Sequence, residues 1–205
     1  MHSADSLLIW QDVREQVDWA GACPLLPGPV CGERDGIADR AAASGPTRGE
    51  DRARRLGAAW QQARTDARAG RALDFARLRA WQETVLGLPR VAFRTGPAYA
   101  KGGRERYGIH ADTPQRFSAC MAQSRDRGLP LPARAARLYL DVAFFHPFDD
   151  GNGRAALLAL GHLLATEDIV LPWVAPITVA RYADDPAGAA ELARVVHLLI
   201  ARGPS

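Results

Sequence analysis

The chain has 205 residues, 47% hydrophobic and 24% charged, enough to bury one sizeable core and too apolar for wholesale disorder. Its net charge of +3 is uneven: residues 1–50 carry −4, residues 51–140 carry +11 and residues 141–205 carry −4. The longest apolar run, 155–165, is too short to span a bilayer, and MHSADSLLIWQDVREQ has no secretory pattern. Three scattered cysteines (Cys23, Cys31, Cys120) make no disulfide framework, so a reducing, cytoplasmic setting without membrane attachment is expected.

In chain order, residues 1–19 read as a short helix, with Trp10, Val13 and Val17 at helical spacing. Residues 21–49 are rich in Gly, Pro, Ala and Asp and read as a long loop or linker; Cys23 and Cys31 within it lack partners at zinc-site spacing. From Asp51 a helix carries Leu56, Trp60, Ala63 and Ala67 on one stripe. Asp74 caps a second helix, with Leu78, Trp81 and Val85 inward, which Leu88-Pro89 ends. Residues 91–109 (VAFRTGPAYAKGGRERYGI) read as a β-hairpin whose first strand is 91–94. Thr113-Pro114 reads as N-cap and first residue of a helix carrying Phe117 and Met121. Pro132 opens another, with Ala135, Leu138, Tyr139, Val142 and Phe145 at helical spacing. AALLALGHLLAT, apolar almost all round, is expected to be the buried centre, and Asp185-Pro186 starts a last helix. The fold class is mainly α with one hairpin.

Residues 146–154, HPFDDGNGR, join the last two inner helices and carry the chemistry. Gly151 and Gly153 let successive N–H groups converge at a helix N-terminus, where the dipole favours an anion. Arg154 adds a bidentate charge beside that nest. Asp150 is a carboxylate suited to Mg²⁺ shared with substrate phosphates, and His146 titrates near neutrality. A glycine turn or a lone histidine is more often structural. The four together point to transfer from a nucleotide to a hydroxyl.

The stretch resembles the signature of the Fic (Fic/Doc) family, H-x-F-x-[D/E]-G-N-G-R, at every defined position. The helix ARLYLDVAFF, the apolar helix after Arg154 and the hairpin resemble the family's central helix pair and flap, over about 52–202. The resemblance implies a Fic-type helical bundle with a short β-hairpin flap, occupying 51–205 behind an N-terminal extension and Gly/Pro-rich linker (1–50). It implies that His146 is the general base, that Phe148 anchors the loop, and that Asp150 binds Mg²⁺. Gly151, Asn152 and Gly153 then form the anion hole, with Arg154 on the β-phosphate. The implied reaction moves AMP from ATP to a Ser, Thr or Tyr hydroxyl of a protein.

Two departures keep alternatives open. Leu157 stands where many AMP-transferring members have a second arginine, which is similar to the Doc branch of phosphotransferases, although Doc-like motifs usually carry lysine at the position of Gly153. A different nucleotide donor or a non-catalytic nucleotide-binding module are further readings. The chain also lacks the [S/T]-x-x-x-E-[G/N] pattern of the family's inhibitory helix, so no intramolecular lock of that kind is expected, and occlusion of the site by a separate antitoxin protein stays open.

The basic middle third points to an anionic partner, nucleotide or acidic protein, though arginines solvating outer helix faces give the same bias. Nucleic-acid binding is not expected, for want of aromatic platforms or a helix-turn-helix pattern. Arg94, Lys101, Arg104 and Arg106 on the hairpin either guide an acidic target or nucleotide or protect an edge strand. Tyr99 and Tyr107 pack on a target or under the flap; His162, Trp60 and Trp81 are assigned to the core.

Overall fold

Two helices that are apolar on nearly every side can be satisfied only by surrounding them, and that requirement organises the molecule. A computed structural model describes residues 4–23, 34–43 and 49–201. Helices α1 (Ser6–Gln16), α2 (Gly36–Ala42), α3 (Gly49–Arg68) and α4 (Phe75–Leu86) precede a two-stranded antiparallel sheet, β1 (Ala98–Ala100) and β2 (Glu105–Tyr107). Then come α5 (Thr113–Ala122), α6 (Leu131–Phe145), α7 (Asn152–Ala165) and α8 (Pro186–Ala201). The fold is mainly α, with a small hairpin.

At the centre α6 lies along α7. Helices α1, α5 and α8 pack on α6, while α3 and α4 pack on α7. Phe145, Leu158, Ala159 and Leu160 have no exposed surface, and Trp60 and Trp81 close the core from α3 and α4. His162 is buried on α7 and its Nε2 donates to the Arg71 carbonyl at 3.1 Å, as a core histidine should. Among the described residues no helix is long and apolar enough to cross a membrane.

The polar seams explain the docking of the outer helices. On α1, Trp10 Nε1 and Arg14 Nε both donate to the buried Asp141 of α6, at 3.1 and 2.7 Å. Asp5 caps α1 by accepting from Leu7 N–H, and its carboxylate also accepts from Gly108 N–H, just after β2. The first helix therefore shares the core and braces the hairpin.

Three local expectations are corrected. Residues 36–42, read as loop, form α2, because Asp35 accepts from the N–H groups of Ile37 and Ala38 and also from Trp60 Nε1 and Arg64 of α3. The other parts of the expected linker, 24–33 and 44–48, lie outside the described residues. Residues 91–94 are not a strand: Val91 N–H donates to Glu83 and Arg94 N–H to the Pro147 carbonyl, so other elements take the groups a strand partner would need. Thr113 lies inside α5, where its hydroxyl accepts from His110 N–H.

Candidate active site

The turn from α6 to α7 begins on a strained residue. His146 ends α6 with φ 50° and ψ 55°, a left-handed conformation that costs a non-glycine residue about 1–2 kcal/mol. Arg94 holds it there: its Nε donates to the His146 carbonyl at 2.8 Å, and its Nη2 to the carbonyls of Gly108 and Phe145 at 2.6 and 3.2 Å. The imidazole stacks on the Tyr107 ring, with centroids 5.0 Å apart. Its Nδ1 lies 3.1 Å from the Ala143 carbonyl, which can only accept. The proton is therefore on Nδ1, and Nε2 presents a lone pair. Burial lowers the His146 pKa, and the charges of Arg94 and Lys101 lower it further, against the opposing pull of the Ala143 bond and Asp150.

The rest of the loop is held by its own polar groups. Phe148 is fully buried and stacks on Phe75, while Asn152 accepts from Phe148 N–H at 2.9 Å and donates to its carbonyl at 2.7 Å. Gln82 on α4 donates to the Asp150 carbonyl at 2.6 Å. Gly151 has φ 78°, and a Cβ there would lie 2.4 Å from Gln82 Nε2, so any side chain would be strained and would displace the Gln82 amide. A Cβ on Gly153, by contrast, would meet nothing within 4 Å. The first full helical bond of α7 runs from Ala155 N–H to the Gly151 carbonyl at 3.0 Å. The amides of Asn152 and Gly153 precede it and point from the positive end of the helix.

These groups open onto a cavity of about 860 Å³, whose walls include His146, Asp150, Gly153 and Arg154 together with Arg40 and Arg52. A smaller cleft of about 160 Å³, lined by Ala100, Tyr107, Phe144 and Val179, lies under the hairpin. His146, Asn152 and Gly153 belong to both walls. Asp150 suits a divalent cation: its side chain is 70% exposed, one oxygen accepts from Gly151 N–H, and the other is 3.6 Å from Arg154. Lone pairs remain on a hard oxygen donor beside an anion nest, the donor set Mg²⁺ shares with phosphates.

Every site residue read from the sequence (His146, Asp150, Gly151, Asn152, Gly153 and Arg154) lines this one cavity. The Asn152 side chain, however, closes the loop, leaving its backbone amide for a ligand. Sequence reasoning missed Gln82, and it named Arg94 and Tyr107 without assigning either to the support of His146. Arg94 is buried rather than offered to a target, and Lys101 is likewise turned inward onto Glu105 and the rings of Phe144 and Tyr182. Gln82 carried a sequence signal of its own, a polar residue on the apolar stripe of α4, and it went unread.

Residues 72–164 match the family model described as Fic/DOC family. The chain is similar to IbpAFic2 covalently tethered to Cdc42, at 14% identity and a TM-score of 0.61, over 93% of this chain and 69% of that one. It is similar to an IbpAFic2 variant in complex with adenylylated Cdc42, at 14% identity and a TM-score of 0.56, over 96% of this chain and 69% of that one. A Fic domain containing signaling protein from Bacteroides thetaiotaomicron VPI-5482 aligns at 13% identity and a TM-score of 0.50, over 94% of this chain and 81% of that one. Such identities establish a shared fold. No curated protein matches the sequence.

Proposed function

Residues 72–164 carry the match to the Fic/DOC family, and on that premise we propose that the chain transfers AMP from ATP to a side-chain hydroxyl of another protein. One observation carries this reading: an imidazole with its Nδ1 proton committed to Ala143 sits where two clefts meet. One cleft offers helix-terminal amides and arginines to phosphates; the other, apolar and under the hairpin, offers space to an acceptor side chain. The IbpAFic2 structures, which hold Cdc42, support a protein as the acceptor.

In this mechanism His146 Nε2 accepts the proton of the acceptor hydroxyl. The oxygen attacks the α-phosphorus, the bond to the β-phosphate oxygen breaks, and pyrophosphate leaves. The Asn152 and Gly153 amides and Arg154 stabilise negative charge on the phosphates without having to reorganise. Asp150 would hold Mg²⁺, which supplies charge neutralisation for the departing diphosphate. Burial keeps His146 neutral at pH 7, the form a base needs.

Intact-mass spectrometry tests the reading, with Mg²⁺, ATP and lysate proteins as acceptors and with His146→Ala beside the wild type. The expected result is an adenylyl mass increase that the variant loses by about 10²–10⁴-fold while still binding nucleotide. A phosphoryl increase would instead assign phosphotransfer, the reading that the uncharged Leu157 in the cavity wall favours. Undiminished transfer by the variant would remove His146 from the chemistry.

A further inference from the structure

Around the large cavity the arginines divide into two kinds. Arg154 donates to the Val85 carbonyl at 3.3 Å, and Arg55 of α3 donates to the Leu86 carbonyl at 2.9 Å. Both are thus held by the negative C-terminal end of α4. Arg52, one turn earlier on α3, and Arg40, on α2, also face the cavity, yet neither has an acceptor among the described residues. Both are exposed. On the α3 side like charges lie together: burial lowers the pKa of Arg154, and Arg52 and Arg55 lower it further against the opposing pull of Asp150. Such crowding is unfavourable in the free chain and is relieved by a bound anion. On α7 itself the cationic wall stops at Arg154, for the next turn presents the buried Leu157.

We propose that Arg52 and Arg40 form a second anion subsite, outside the 146–154 loop, that holds the distal phosphates of the nucleotide donor. A chain of phosphates seated on the Asn152 and Gly153 amides and Arg154 has one or two groups left over. These extend within the same cavity to the side formed by α2 and α3, where two guanidiniums are available for bidentate contacts. The subsite gives α2 a function: its capping by Asp35 and its tie to Trp60 and Arg64 set Arg40 at the rim. The inference rests on the donor reading above, and it sorts donors by the length of their phosphate chain.

Equilibrium binding in the absence of acceptor tests it, using AMP, ATP and inorganic tripolyphosphate as probes on the wild type, Arg52→Ala, Arg40→Ala and the double variant. Both positions are exposed, so the variants should fold, and a thermal melt of each checks this. ATP and tripolyphosphate should bind the double variant about tenfold or more weakly, while AMP affinity stays unchanged. Arg52→Lys, which keeps the charge but not the fork, should recover part of the loss. Equal weakening of AMP and ATP would overturn the proposal, as would unaltered ATP binding. A wild type that binds ATP and AMP, with a double variant that binds both equally well, defeats this inference alone. A wild type that binds none of the probes defeats it together with the donor reading.

Discussion

The α6–α7 turn and the β1–β2 hairpin both touch His146, yet they are built on opposite plans. In the turn, Asn152 is bonded in both directions to Phe148, Gln82 fixes the Asp150 carbonyl, and Arg94 gathers the carbonyls of Phe145 and His146. The hairpin has strands of three residues, and only one face is tied down. On that face Tyr107 lies under the imidazole, and Glu105 accepts from Ala183 N–H at 2.7 Å and binds Lys101 and Tyr107. On the other face Tyr99 and Arg106 pair across the strands, and Tyr99 is 62% exposed. Under the proposed function the division makes sense: groups that would hold a reacting geometry are fixed from several sides, whereas a surface that would meet a partner is left to side chains free to vary.

The largest test breaks the rigid half. Arg94→Ala leaves the carbonyls of Phe145, His146 and Gly108 without their buried donor and the left-handed His146 without its brace. We expect a loss of roughly 3 kcal/mol in urea unfolding, accompanied by lower kcat. A loss near zero would mean that the turn holds its shape without this residue.

A second test reads the same half through its acid limb. Burial, with Arg94 and Lys101, pushes the His146 pKa below its ordinary value of about 6.5. The base form therefore persists to lower pH, and kcat should fall about tenfold per pH unit only below that point. A pH profile of kcat with its midpoint above about 6.5 would contradict the depressed value.

The smallest expected effect on the fold belongs to the hairpin. Tyr99→Ala should change stability by no more than about 0.5 kcal/mol, because the ring is exposed. It should raise KM for the protein acceptor and leave the pH midpoint where it is. A rise in KM for ATP alone would place Tyr99 on the donor side of the large cavity, whose wall it also joins.

Much of this was readable without coordinates. The proposed chemistry sits in nine consecutive residues, and a short contiguous segment meets its neighbours through local geometry that spacing already specifies. Glycine angles, the helix N-terminus and the order His146, Asp150, Arg154 are properties of that kind. Helix periodicity and the cap at Asp74 were legible for the same reason.

Composition misled where contacts between distant segments decide. Residues 36–42 looked like linker, and they form a helix because Asp35 meets Trp60 and Arg64, 25 and 29 residues away. The hairpin cations looked equivalent, yet Arg94 became an internal brace and Lys101 an internal anchor, while Arg104 lies over the Tyr182 ring. Tyr99 and Tyr107 looked interchangeable, and β-sheet pairing sent one outward and the other under the His146 imidazole. By itself the sequence determined what reaction chemistry the loop can support. Only the tertiary structure decided which residues hold that loop and which cations remain for a ligand, because a side chain's role depends on which acceptors the fold brings within reach.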